Sequence, residues 1–556
     1  MPQERTLIVD FLKNHKYVVT ALLMIGLLNS IVTVLISLSL GKYYEIVFGH
    51  HSNRGKILDY FQIPFKNSFW YFIAMFFVLM VLRTLLIFFE KYLSGIMGEI
   101  FSKNLRNQLF LHQLSTTMEE HEKKPVGKYL LRYSGDLSSI QNLLNTGILL
   151  FSCDFMFLSL MLWVLLSINV TLTLVLFSGL SIMFVLIMLT TKSYGTAVQN
   201  RRDQLSGNLA FVHSRLSTLI SIKIFNKESI EYSKYEKRSQ KLYCAGKRYQ
   251  FIKSLVNAGI PLSIYMFLAF FLGYIYMIKT NGGSVAASTL LTYVILLLST
   301  MPVLKRMFKI NMVWKAGKVS FQKYLRVLNT VSERPENIII EKRTAQSIVF
   351  DKVSFSYSDN LPLLKDVSFS IPERSMVRIY SNHGKGKSTV FKLILGIYSP
   401  QAGEIFLGQQ SIEKISPQQL RRQITLISKD IPLVGDTIFE AISYSRKIEK
   451  RKSALEILKL LQFHKLGIEE IDLNYKIGEN AKNLSASQLK LLTIARALLT
   501  SKKIILLDEP FIGLAPEIKN HLCAYFNSLK RTHTLLFIDQ TMETNLEIDQ
   551  NIYIQS

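Results

Sequence analysis

The rhythm of hydrophobic and polar positions changes once along this chain, near residue 340. Before that point, unbroken apolar runs alternate with long stretches whose apolar residues recur every three or four positions. After it, short β-like runs alternate with amphipathic segments. The apolar runs lie at about 17 to 40, 69 to 89, 147 to 168, 169 to 191, 255 to 279 and 286 to 304. Each is near the roughly 20 residues that a helix needs to cross a bilayer. Ser167, Ile168 and Asn169 alone part the third from the fourth, which predicts a tight hairpin. Trp70 and Trp163 then fall near one interface, the outer one, where aromatic belts form.

The stretches between these runs are not loop-like. Segments 90 to 146 and 192 to 254 keep helical apolar spacing and carry one proline, Pro125, so the spans should run on as helices beyond the membrane. Pro125 and Gly127 predict a break, followed by a short helix ending near Asp136. Ile222, Lys223, Phe225 and Glu228 predict a second crossing turn; solvated coiled-coil-like stalks fit the same spacing. In residues 1 to 16, Leu7, Ile8, Phe11 and Leu12 share one helical face, with Lys13, His15 and Lys16 gathered at the end. That pattern suits a helix at the membrane surface and equally a helix packed on protein. Arg83 and Asp154 each lie about two turns inside a span, at matching depth. Charges at depth seek partners, which predicts that these two pair; Arg83 reaching out to the interface while Asp154 lines a wet cavity fits the same positions.

Composition agrees with a membrane protein. Among 556 residues 49% are hydrophobic, and the mean hydropathy is +0.23. The net charge of +26 comes from Lys and Arg that flank the apolar runs, as in cytoplasmic membrane loops, and this excludes a nucleic-acid partner. The expected location is therefore the cytoplasmic (inner) membrane, multi-pass, with the long basic loops and both termini in the cytoplasm. Lys42, Arg54, Lys56 and Lys66 in the outer loop 41 to 68 run against this trend. Cys153, Cys244 and Cys523 lie far apart, with neither metal-ligand spacing nor a disulfide framework. No cleavage site follows the first apolar run, which reads as a retained span.

A linker at 331 to 345, with Pro335, leads into an α/β region from 346 to 556. Its centre is VRIYSNHGKGKSTVF, residues 377 to 391, an apolar strand followed by a glycine-broken loop and an apolar helix. Phosphate binding asks for inward backbone N–H groups, a lysine on the outer phosphates and a hydroxyl on magnesium at a helix N-terminus. Ser381, Asn382, His383, Gly384, Lys385, Gly386, Lys387, Ser388 and Thr389 fill that loop, with Ser381 where the usual pattern has its first glycine. IILLDEP, residues 504 to 510, delivers Asp508 and Glu509 at the carboxyl end of a second strand, where ligands of parallel sheets bind. There Asp508, with Ser388, suits magnesium, and Glu509 suits orienting or deprotonating the attacking water.

Taken together the chain resembles the ATP-binding cassette (ABC) transporters, specifically exporter-type half-transporters. The resemblance implies an all-α domain of six transmembrane helices followed by an α/β P-loop NTPase domain, with ATP and Mg2+ as cofactors. Tyr357, in VSFSYSDN, matches the aromatic that stacks on adenine in that family. LSASQ, residues 484 to 488, matches the family signature LSGGQ, so Ser485, Ala486, Ser487 and Gln488 would face ATP held by a partner cassette. A second half-transporter is therefore implied. The segments Gly127 to Asp136 and Phe225 to Glu228 resemble coupling helices. Ala486 and Ser487 replace two glycines, Lys429 stands at the family's γ-phosphate-sensing glutamine, Ala515 at an aspartate, and Gln540 (or Asp539) at the switch histidine. In a heterodimer a partner with the usual residues can share these losses, so a heterodimer is favoured over a homodimer. The resemblance implies a transporter subunit that hydrolyses ATP to move a substrate, or a weakly hydrolysing regulatory half. Phe267, Phe270, Phe271, Tyr274 and Tyr276 suit an amphipathic or peptide-like cargo and equally suit lipid contact.

Overall fold

The computed structural model describes residues 2–48, 69–122, 129, 132–168, 170–280, 287–333, 346–357, 363–381, 386–444, 449–466, 471–478, 481–538 and 545–554. They form two compact units, Met1–Ser115 with Glu122–Thr330, and Thr116–His121 with Val331–Ser556.

The first unit is helical. Its amphipathic start, α1 (Pro2–Asn14), ends where the His15 ring nitrogen meets the Phe11 carbonyl at 3.0 Å. Phe11 is buried, with its ring 4.8 Å from that of Phe101, and Leu7, Ile8 and Leu12 pack on the same helical core. The apolar face of α1 is thus covered by protein. Next come α2 (Lys16–Phe48) and α3 (Phe69–Ser115); the short α4 (Met118–Glu122) that follows belongs to the second unit except for its last residue. Past residue 132 follow α5 (Leu137–Leu144), α6 (Leu150–Ile168), α7 (Val170–Ser217), α8 (Leu219–Ile224), α9 (Glu228–Thr280) and α10 (Ala287–Leu328). Among the described residues, Lys16–Leu40, Trp70–Ser115 and Leu137–Ile168 are long and apolar enough to cross a membrane. The runs at 169 to 191, 255 to 279 and 286 to 304 fall almost wholly on α7, α9 and α10, which have 48, 53 and 42 residues. At about 1.5 Å per residue such helices reach well past a bilayer core. The apolar spacing outside the runs therefore reads correctly as continuing helix.

No helix end forms near Asp136, where the sequence predicts one. Arg132–Asp136 is a widened π turn that passes directly into α5, and a second π turn, Asn145–Leu149, carries α5 into α6. Asp136 is buried, bonded to Arg132, and accepts from Ser320 Oγ at 3.1 Å. It is a tethered acceptor inside the helix rather than a stop. At the second turn the Gly147 carbonyl accepts from Trp314 Nε1 at 2.8 Å, a side-chain bond that a bulged helix accommodates. The turn near Phe225 does form: Asn226 adopts φ 48°, and Lys223 pairs with Glu228 at 3.1 Å. Pro125 and Gly127 lie outside the described residues.

The expected pair of Arg83 and Asp154 is also overturned. Asp154 is taken through both oxygens by Arg306 of α10, with Nε donating to Oδ2 at 2.8 Å, while Arg83 Nε is buried with no hydrogen-bond partner among the described residues. Matching depth sets only the height of a residue. Rotation about each helix axis decides which neighbour it faces, and that follows from packing.

The second unit holds two sheets. One is antiparallel, in the order β2–β1–β4–β5, from β1 (Ile348–Phe355), β2 (Leu364–Ile371), β4 (Ala402–Leu407) and β5 (Gln410–Ser411). The other is parallel, in the order β6–β7–β8–β3–β9, from β3 (Met376–Ser381), β6 (Ile424–Ile427), β7 (Ile504–Asp508), β8 (Thr534–Ile538) and β9 (Gln550–Ile554). Strands β7 and β8 read as unbroken apolar runs because both faces are covered, as in parallel sheets generally. Successive residues go to opposite sides. Ile505, Leu507 and Phe537 pack with Leu491, Ile494 and Phe526, whereas Leu506, Leu536 and Ile538 pack with Phe350, Val390 and Ile405. The helices on these faces include α11 (Lys387–Ile394), α12 (Pro417–Gln423), α13 (Ile438–Ser443), α14 (Glu449–Leu460), α15 (Ala486–Leu499) and α16 (Pro516–Leu529).

Candidate functional site

The parallel sheet brings the carboxyl ends of β3, β6 and β7 together. Gly386 caps α11 with φ 87°, a left-handed conformation that side chains resist, and a Cβ there would stand 2.9 Å from Leu364 Cδ2. Lys387 opens the helix and is buried. One residue on, Ser388 Oγ donates to Asp508 Oδ2 at 3.0 Å, and Ser428 Oγ, just past β6, reaches the same oxygen at 3.4 Å. Burial, reinforced by the charge of Glu509, pushes the Asp508 carboxyl above its ordinary range, against the opposing hydrogen bonds from the two serines. Two hydroxyls and a carboxylate beside a helix N-terminus are the hard oxygen donors that magnesium takes, so the residues present fit a magnesium nucleotide.

Glu509 sits at φ 51° with both backbone groups tied: its N–H donates to the Ile538 carbonyl at 2.8 Å, and its carbonyl accepts from Lys490 Nζ at 2.8 Å. A non-glycine residue held in this region is the kind of strain that surroundings must enforce. The Glu509 carboxylate faces Lys429, whose Nζ lies 3.6 Å from Oε2. Lys429 therefore pairs with the candidate base instead of standing clear of it. Partial burial lowers the Lys490 pKa, an effect the carboxylates of Glu509 and Asp508 oppose.

Tyr357 is half exposed. Its hydroxyl lies 3.2 Å from Thr389 Oγ1, its ring stands edge-on to Tyr398 at 5.3 Å, and Lys392 Nζ sits 5.5 Å from the ring centre. The aromatic is thus placed beside the first turn of α11. Ser485 and Gln488 close a capping box at the start of α15, Ser487 Oγ donates to the Gly513 carbonyl at 2.7 Å, and Ser485 and Ala486 are exposed. Among the described residues the side chains of this segment bond within it, to Gly513 and to Leu466, not to residues 386 to 389. It is presented outward, as a segment meant for another molecule would be. Ala515 leaves α16 without a side-chain cap. Asn382, His383, Gly384, Lys385, Asp539 and Gln540 lie outside the described residues.

Sequence reading missed Ser428, Lys490 and Lys392. Ser428 directly precedes Lys429 at a strand end, a signal that was available; the other two act through the fold, from helix positions that pattern alone leaves anonymous.

Residues 19–301 match the family model for the ABC transporter transmembrane region, and residues 364–512 match the ABC transporter model. The chain belongs to the ABC transporter family. It is an exporter-type half-transporter, a multi-pass membrane protein whose α/β unit binds and hydrolyses nucleotide in service of transport. A relative from Lactococcus lactis subsp. lactis (strain IL1403), a multidrug resistance ABC transporter ATP-binding and permease protein, is 26% identical over 548 residues, covering 96% of this chain and 88% of its own. The ATP-dependent lipid A-core flippase of Escherichia coli (strain K12) is 23% identical over 481 residues, covering 86% and 82%. A solved structure of a bacterial Atm1-family ABC exporter with ATP bound superposes with a TM-score of 0.83 at 18% identity, covering 98% of this chain and 94% of that one. That likeness speaks for the fold.

Proposed function

We propose that this chain is one half of a heterodimeric exporter of the cytoplasmic membrane, with both termini in the cytoplasm, that uses Mg2+ and ATP to expel an amphipathic cargo. The observation that carries the reading is the convergence of Ser388, Ser428 and Asp508 beside Lys387 and Glu509 at the sheet's carboxyl edge. Lys387 and the amides of the Ser381 to Thr389 loop would hold the phosphates, Ser388 and Asp508 the magnesium, and Tyr357 the adenine. Magnesium, when bound, neutralises charge on the transferring phosphoryl group. Glu509 would orient the attacking water, and Ser485 to Gln488 would close on nucleotide held by the partner. The amphipathic cargo draws support from relatives named for multidrug resistance and for lipid A-core.

The pairing of Lys429 with Glu509 favours a second reading, a weakly hydrolysing regulatory half. A like residue at both sites of a homodimer would restrain both, which supports a heterodimer. The test is steady-state ATPase in reconstituted membranes, with this chain alone and then with candidate partner half-transporters. Weak activity alone and a marked rise with one partner is expected. A homodimer that hydrolyses ATP briskly and loses that activity on Glu509→Gln would overturn the heterodimer.

A further inference from the structure

A cavity of about 330 Å³ opens between α5, α7, α9 and α10, close to the ends of the apolar runs where the long helical extensions leave them. Four cations line it, Arg201, Arg202, Lys253 and Lys309, together with Tyr194 and Tyr249, and no carboxylate does among the described residues. Arg202 is already committed: it bonds Ser139 and Ser320, donates to the Ala316 carbonyl at 3.3 Å and lies 3.7 Å from Asp136. Among the described residues the other three make no ion pair with a carboxylate. Arg201 and Lys253 both lean on the Tyr249 ring, at 4.9 and 5.8 Å from its centre, and Lys309 has no ion-pair partner among the described residues. The Tyr194 and Tyr249 hydroxyls meet at 3.5 Å. Both cations share one aromatic partner, and an anion entering the cavity would meet them together. Cytoplasmic membrane flanks are rich in Lys and Arg in general, but that bias asks for cations near headgroups, not for several turned into one cavity without an acid.

We propose that this cavity is a binding site for a phosphate-bearing anion, held by Arg201, Lys253 and Lys309 with help from the tyrosine hydroxyls. Guanidinium and ammonium groups grip phosphate through charge-assisted hydrogen bonds, and basic pockets between membrane helices are a known way to take anionic headgroups. The phosphate can belong to a lipid headgroup or to a soluble molecule; the chemistry at the site is the same. The inference rests on the helices around the cavity being membrane helices, not on the nucleotide site.

The full chain, in a Lys387→Ala background so that the phosphate loop does not compete, is placed in nanodiscs and its unfolding midpoint is followed. One arm uses phosphatidylcholine alone, one adds phosphatidylglycerol, and one keeps phosphatidylcholine and titrates inorganic pyrophosphate. The midpoint should rise in the second arm if the source is lipid, or in the third if it is soluble. Lys253→Gln with Lys309→Gln should weaken that response on the order of tenfold or more, since two charged hydrogen-bond donors are lost. Lys237→Gln with Lys241→Gln, elsewhere on α9, should leave it intact. No response in either arm, or a response that the Lys253 and Lys309 variant keeps, overturns the proposal. Should the double variant not fold, Lys309→Gln alone is read by the same criterion.

Discussion

Asp154 grips Arg306 with both carboxylate oxygens, joining α6 to α10 inside the helical unit. Asp154 is only 3% exposed, so its charge depends on this partner, and Glu90 nearby accepts from Asn29 at 2.8 Å. Stripping one member from a buried pair costs about 3–5 kcal/mol, and the lower end applies here because the Arg306 side chain is 35% exposed. Arg306→Gln should therefore lower the unfolding midpoint in detergent, and adding Asp154→Asn should recover most of the loss. A double-mutant cycle on Arg306 and Asp154 checks this, and the absence of coupling between the two would contradict the geometry.

Asp508 offers a prediction with a sign. Burial raises its folded pKa, with the charge of Glu509 adding to the effect, so the folded state binds this proton more tightly than the unfolded state does. The stability linked to that proton is present at low pH and is lost as pH rises through the folded pKa. Nucleotide-free Asp508→Asn should consequently melt above wild type near neutral pH, and the gap should close toward about pH 4, the ordinary carboxylate range. Magnesium ATP should stabilise wild type and leave the variant almost unmoved. Thermal melts across pH, with and without magnesium nucleotide, measure both effects.

Lys429→Gln replaces the cation beside Glu509 with the residue usual in the family. Lys429 is 74% exposed, and an ion pair so exposed is worth about 0.2–1 kcal/mol. Freeing Glu509 should raise turnover of the assembled transporter by roughly 1.5- to 5-fold. A fall in turnover would mean instead that Lys429 works on the phosphate.

Helix packing makes two glycines unequal. A Cβ on Gly317 would stand 2.6 Å from Leu143 Cβ, whereas one on Gly95 would meet nothing within 4 Å. Gly317→Ala should destabilise by about 1–3 kcal/mol through overpacking. Gly95→Ala should be neutral or stabilise by about 0.5–1 kcal/mol through helix propensity. Unfolding midpoints of the two variants, measured side by side, decide it.

Much of this protein was legible in order along the chain because the signals are local. Runs of about 20 apolar residues, a change of periodicity near residue 340, a glycine-broken loop before Lys387 and two carboxylates closing an apolar strand each follow from neighbouring residues alone. Those features were enough for the fold class, a helical transmembrane region followed by an α/β nucleotide-binding domain, and for proposing Lys387, Ser388, Asp508 and Glu509 as site residues. What needed the tertiary structure is every relationship that depends on rotation about a helix or on the order of strands. The partner of Asp154 is Arg306 because packing, not depth, turns α6 toward α10. Asp136 sits inside a helix that runs on, held by Ser320 from far along the chain as well as by its neighbour Arg132. Lys429 reaches Glu509 because β6 and β7 are neighbours in the sheet, although 76 residues separate the end of β6 from the start of β7. The basic cavity gathers side chains from three long helices, and no periodicity within any one of them announces it.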